Sequence, residues 1–82
     1  MTSTDELKPD KTLDCKGLSC PIPIVKTKLA VDSLQPGQIL EMIATDKGSK
    51  PDMAAFIEET GNRLISSKEE NGVFFYYIRK ED

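Results

Sequence analysis

The chain has 82 residues, of which 38% are hydrophobic and 30% charged, with 14 acidic against 11 basic side chains for a formal charge of −3. This length makes one small domain with little core to spare and no room for a metabolite-sized cavity, and the acidic balance argues against nucleic-acid binding driven by net charge. There is no histidine and there are only two cysteines, which excludes Ser-His-Asp or Cys-His catalysis within the chain and leaves too few ligands for a structural zinc site.

Residues 1–10, MTSTDELKPD, are polar and read as a disordered N-terminal tail; residues 11–82 form a single domain. Neither a bilayer-length apolar run nor a signal peptide is present, so the chain is placed in the reducing cytoplasm. Cys15 and Cys20 are then thiols rather than a structural disulfide.

Thr12 to Cys15 alternate weakly and favour a short strand, which Gly17 ends. Cys20-Pro21 opens the first helix: proline suits the first turn, where the amide it lacks would have no intrahelical partner, and Pro23 is tolerated in the same turn. Ile22, Val25 and Leu29, followed by Ala30 and Leu34, recur at helical spacing and predict the face that meets the core, with Lys26 and Lys28 off it. Pro36-Gly37 stops the helix.

Ile39 to Ala44, interrupted by Glu41, predicts a central strand buried on most of both faces. A turn through Asp46 to Ser49 follows, and Ser49 with Asp52 resembles a capping box for a second helix. Met53, Phe56, Ile57 and Thr60 give that helix its face, and Gly61-Asn62 ends it. Arg63 to Lys68 is a weaker strand. Asn71-Gly72 demands a tight hairpin into the last strand, Val73 to Ile78, about half of whose aromatics should be core. Strand, helix, strand, helix, strand, strand predicts a two-layer α/β (α+β) sandwich, with a four-stranded mixed sheet and two helices on one face.

The chemistry centres on Cys20. A cysteine at a helix start sits where unpaired amides and the helix dipole favour a thiolate. Lys16 and Lys26 add positive charge, and Pro21, Pro23 and Gly17 shape the turn. No base is available, so a thiolate prepared by its surroundings is the activation open to this chain. A stable thiolate is also a good leaving group when a persulfide is attacked. A buried, inert cysteine is the competing reading; stiffening a helix start around such a residue has no packing purpose. Cys15, separated from Cys20 by four residues that a turn through Gly17 could fold back, is either a small apolar residue at a strand end or a resolving thiol for Cys20. Lys16, Lys26 and Lys28 flank the site as a candidate docking patch for an acidic partner, against the plainer reading of a solvated face. Asp46 and Asp52 are explained by turn and cap chemistry.

LDCKGLSCPIPIVKTK resembles the signature of the TusA/SirA-like sulfur-carrier family: a Leu-Asp start, a Gly-Leu pair, then Cys-Pro-x-Pro opening the first helix. The likeness continues through Leu34-Gln35-Pro36-Gly37, Asp46 to Asp52, Phe56, Gly61 and Tyr77-Ile78-Arg79-Lys80. It implies a fold like the C-terminal domain of bacterial translation initiation factor three. It also implies that Cys20 accepts sulfane sulfur as a persulfide from a cysteine desulfurase or rhodanese-like donor and passes it to a downstream acceptor, such as a DsrE-like protein, in tRNA thiolation, cofactor synthesis or sulfur oxidation. The carrier would work as a monomer, with no cofactor, metal, membrane or direct nucleic-acid contact. Many members lack a cysteine at the place of Cys15, and Lys47 stands where proline is frequent. Two other classes of function compete: a thiol-disulfide redox protein using Cys15 and Cys20, and a non-catalytic interaction module.

Overall fold

The computed structural model of the chain describes residues 9–19 and 22–81. Six elements follow in order: β1 (Lys11–Cys15), α1 (Ile22–Asp32), β2 (Ile39–Ala44), α2 (Ser49–Thr60), β3 (Arg63–Glu70) and β4 (Val73–Arg79). The strands make one mixed sheet in the order β1-β2-β4-β3. β1 runs parallel to β2, and β4 is antiparallel to both β2 and β3. The architecture is the predicted α+β sandwich.

The core lies between the helices and one sheet face. Leu40, Met42 and Ala44 from β2 and Phe74, Tyr76 and Ile78 from β4 meet Ala30, Val31, Met53 and Phe56 from the helices. Period-two alternation puts these strand residues on one side. Ile39, Glu41 and Ile43 on the opposite side of β2 are only half-buried. The expectation of a strand buried on both faces is corrected here: β2 is central in its pairing, but among the described residues no second layer covers its outer face. On that face Glu41 accepts hydrogen bonds from Thr12 Oγ1 at 3.2 Å and Tyr77 Oη at 2.8 Å. Burial and the Glu41 carboxylate push the Tyr77 phenol up to about 12.

The predicted face of α1 is corrected in part: Ala30 and Leu34 are buried as expected, but the three residues ahead of them are not. Its buried residues are Pro23, Thr27, Ala30 and Val31, while Ile22, Val25 and Leu29 are exposed. The helix has apolar residues on two sides, and the stripe containing Thr27 wins because the Thr27 hydroxyl is satisfied internally, donating to the Pro23 carbonyl at 2.7 Å. At its other end α1 has no basic residue in its last turn. Lys80, just past β4, supplies one, donating to the carbonyls of Asp32 at 3.3 Å and Leu34 at 2.9 Å.

The capping box at Ser49 does not form. Gly48 occupies the N-cap of α2 without a side-chain bond, and the buried Ser49 hydroxyl shares a hydrogen bond with Tyr76 Oη at 2.8 Å instead. Thr60, predicted on the inner face of α2, is exposed, its hydroxyl donating to the Phe56 carbonyl at 2.8 Å. Gly61 ends α2 as expected, its amide donating to the Ile57 carbonyl at 3.0 Å. Asn71 and Gly72 both adopt positive φ, 51° and 82°, the pairing a two-residue hairpin between twisted strands requires. Residues 1–8 lie outside the described residues; Asp10 is tied to Ile39 through its amide at 2.7 Å and its carboxylate at 2.8 Å.

Candidate functional site

The parallel register pairs Cys15 with Ala44, so β1 and β2 end level. Their outgoing loops, residues 16–19 and 45–48, therefore leave the same edge of the sheet and lead into the two helices. The carboxyl edge of a parallel pair is where open α/β sheets commonly bind and react, because loops and helix starts converge there.

The first loop is held at both ends and in its middle. Asp14 Oδ1 accepts from the Lys16 amide at 3.0 Å, a two-residue side-chain turn typical of aspartate. Thr45 Oγ1, from the second loop, accepts from the Gly17 amide at 2.9 Å. The Leu18 amide donates to the Cys15 carbonyl at 3.2 Å, and the Ile22 amide to the Ser19 carbonyl at 3.0 Å. Gly17 has φ of +82° with nothing within 4 Å of where a Cβ would stand. Glycine is needed there for the backbone conformation, not for space.

Cys20 and Pro21 lie outside the described residues. The chain is described up to Ser19 on one side and from Ile22 on the other, and Pro23 is buried in the first turn of α1. Helix α1 thus starts at the same edge as the loop, with its positive end toward it.

Cys15 is 0% exposed. Burial pushes its thiol above the usual range; the Lys26 ammonium draws it down and the Asp14 carboxylate adds to the rise. An inaccessible thiol with little thiolate is poorly suited to attack another sulfur. The Lys26 ammonium, on the first turns of α1, is thus near enough to the end of β1 to act on that thiol. Lys16 is exposed, its Nζ 4.0 Å from Asp14. Lys28 pairs with Asp32 at 3.2 Å, one helical turn on and away from the loop. Of the three predicted docking lysines, Lys16 and Lys26 stand near the loop and Lys28 stands apart.

Asp46 accepts from the Gly48 amide at 3.3 Å through its carboxylate and from the Ser49 amide at 2.9 Å through its carbonyl, which is turn chemistry. Among the described residues no cluster of three or more His, Cys, Asp or Glu side chains could hold a metal ion, and no helix is long and apolar enough to cross a membrane.

The loop-holding roles of two residues escape the motif reading, which took Asp14 only as part of the Leu-Asp start and did not single out Thr45. Asp14 carried a usable signal, being an aspartate two residues before a glycine-containing turn. Thr45 carried none, since its contact with Gly17 spans 28 residues.

The profile of the family described as Sulfurtransferase TusA matches residues 11–80. The Allochromatium vinosum sulfur carrier protein TusA is 48% identical over 71 residues, covering 87% of this chain and 93% of its own. YrkI of Bacillus subtilis is 47% identical over 74 residues, covering 90% and 99%. Among solved structures, a SirA-like protein from Desulfitobacterium hafniense superposes with a TM-score of 0.77 at 24% identity, covering 88% of this chain and 99% of that one.

Proposed function

Because this chain belongs to the sulfurtransferase TusA family, we propose that it is a sulfur carrier whose travelling atom is held as a persulfide on Cys20. The observation that carries the reading is the anchored loop of residues 16–19, held by Asp14 and Thr45 at the edge where α1 begins. It brings the chain as far as Ser19 on a fixed backbone, at the edge where α1 begins. Relatives named as sulfur carriers support the same role.

The exchange proceeds in two displacements. The Cys20 thiolate attacks the terminal sulfur of a donor persulfide; a new S–S bond forms to Cys20, the donor's S–S bond breaks, and the donor cysteine leaves as thiolate. In delivery an acceptor nucleophile attacks the terminal sulfur on Cys20, and Cys20 leaves as thiolate. Sulfane sulfur changes hands in each step and nothing is oxidised or reduced overall. A positive environment lowers the thiolate's energy, which improves it as a leaving group. Partners are a sulfur-donor protein such as a cysteine desulfurase or rhodanese and an acceptor downstream. Cys15, buried, serves the core in this reading, and the thiol-disulfide alternative loses its second accessible sulfur.

Intact-mass spectrometry tests this on wild type, Cys15→Ala and Cys20→Ser after exposure to inorganic polysulfide. Wild type and Cys15→Ala gain one sulfur, about 32 Da, removable by reductant, and Cys20→Ser gains none. An adduct that survives in Cys20→Ser rules the reading out. Loss of two hydrogens in wild type, in place of a sulfur gain, points to the redox pair.

A further inference from the structure

Helix α1 buries one apolar side and exposes another. Ile22, Val25 and Leu29 are 47%, 52% and 65% exposed. Single exposed aliphatics are ordinary, but residues three and four apart are neighbours on a helix surface, so these three form a row. At roughly 100° per residue the row lies almost opposite the buried stripe of Pro23, Thr27, Ala30 and Val31. It begins two residues after Cys20 and runs on the order of 10 Å along the helix.

Charge narrows what covers it. The chain is acidic overall, yet the ionisable residues of α1 are Lys26, Lys28 and Asp32. The two lysines flank the row, one on each side. Asp32 is tied to Lys28, while Lys26 has no carboxylate within ion-pair distance among the described residues. A second copy of the chain fits poorly: face-to-face pairing of this row would crowd like lysines. Three half-exposed side chains also fall well short of the roughly 800 Å² per partner of a stable interface. The size suits a brief encounter, in which a helix lays a row of anchors into a groove.

We infer that Ile22, Val25 and Leu29 form the docking row for a sulfur-relay protein that presents an apolar depression rimmed with carboxylates beside its own reactive sulfur. This rests on the carrier reading of Cys20. The row sets where the partner sits, Lys26 and Lys28 steer its approach, and neither takes part in the S–S exchange.

Loading rates separate docking from chemistry. Wild type and the double variant Val25→Gln/Leu29→Gln, which keeps good helix formers at exposed positions, are loaded from inorganic polysulfide and from a cysteine desulfurase supplied with L-cysteine, followed by intact mass. Polysulfide loads both at rates within about twofold of each other. Desulfurase loading of the variant is about tenfold slower or worse, and the wild-type rate with desulfurase falls as salt rises from about 50 to about 500 mM. Equal desulfurase rates for the two proteins overturn the docking row. So does a desulfurase that loads wild type no faster than polysulfide does, and so does a wild-type dimer in sedimentation that the variant dissolves, which assigns the row to a second copy. If polysulfide leaves wild-type Cys20 unloaded, the carrier reading itself fails.

Discussion

Replacing Cys15 separates a packing role from a chemical one, because the two roles rank the substitutions differently. The side chain is fully buried at the end of β1, and the backbone around it is already paired. Cys15→Ala removes one sulfur atom and leaves a small void, which costs about 1 kcal/mol, comparable to a buried methylene. Cys15→Ser keeps a polar atom there with no prepared partner; burying an unpaired hydroxyl costs about 1–3 kcal/mol. Serine should therefore be the worse of the two, at about 2 kcal/mol in total once the smaller volume is included. For a domain of this size about 1 kcal/mol moves Tm by roughly 4–8 °C, so the expected losses are about 5 °C for alanine and about 10–15 °C for serine. Urea and thermal unfolding under reducing conditions measure the order, and sulfur loading at a temperature where both variants are folded measures the chemistry. A serine variant as stable as wild type, combined with an alanine variant that loads sulfur but no longer releases it, would refute the packing argument and restore the resolving thiol.

Two further outcomes follow from single contacts. Lys80→Met removes both the hydrogen bonds to the Asp32 and Leu34 carbonyls and a cation at the end of α1; after the lysine's own loss of freedom is counted, urea unfolding should show a loss of about 1 kcal/mol, and no change would mean that water serves those carbonyls equally well. Stability should also decline at alkaline pH. The Cys15, Tyr76 and Tyr77 groups all have folded pKa values raised by burial, so each binds its proton more tightly in the folded state. Their stabilisation is complete below the unfolded values, about 8.5 for cysteine and about 10 for tyrosine, and is lost as pH rises toward the folded ones, for Tyr77 up to about 12. Thermal melts across this range should diverge between wild type and Cys15→Ala once pH passes about 8.5, the wild type losing stability with the steeper slope.

The local grammar of the chain was legible where one residue type has one physical consequence. Asn71-Gly72 supplied two positive φ angles, Gly61 stopped a helix, and alternation along Phe74, Phe75, Tyr76 and Tyr77 put half of these aromatics in the core, which the structure shows to be Phe74 and Tyr76. Helix α1 was misread because it is apolar on two sides. Spacing joins Ile22, Val25 and Leu29 to Ala30 as readily as it joins Pro23 and Val31 to it, and the buried Thr27 in the true stripe looks polar until its bond to Pro23 is seen. The outer face of β2 failed for a related reason: an apolar run does not say whether a second layer exists. At the site, Cys20 was marked by its prolines, whereas the Thr45 contact joins two loops that meet only because β1 and β2 are parallel and level. The order β1-β2-β4-β3 leaves no local trace either, since β4 inserts between strands that precede it in the chain.

That insertion governs when the protein can exist at all during synthesis. With β1, α1, β2, α2 and β3 already made, the sheet is in two pieces, β1-β2 and a solitary β3, and Leu40, Met42 and Ala44 have no neighbouring strand on the far side. The Ser49 hydroxyl waits for Tyr76, and the last carbonyls of α1 wait for Lys80. Only when residues 73–80 leave the ribosome can the halves close, in a single late step. A nascent chain stalled before β4 would carry the complete cysteine motif on a polypeptide with no fold to hold it, so assembly of the reactive edge is timed by the strand farthest from it in sequence.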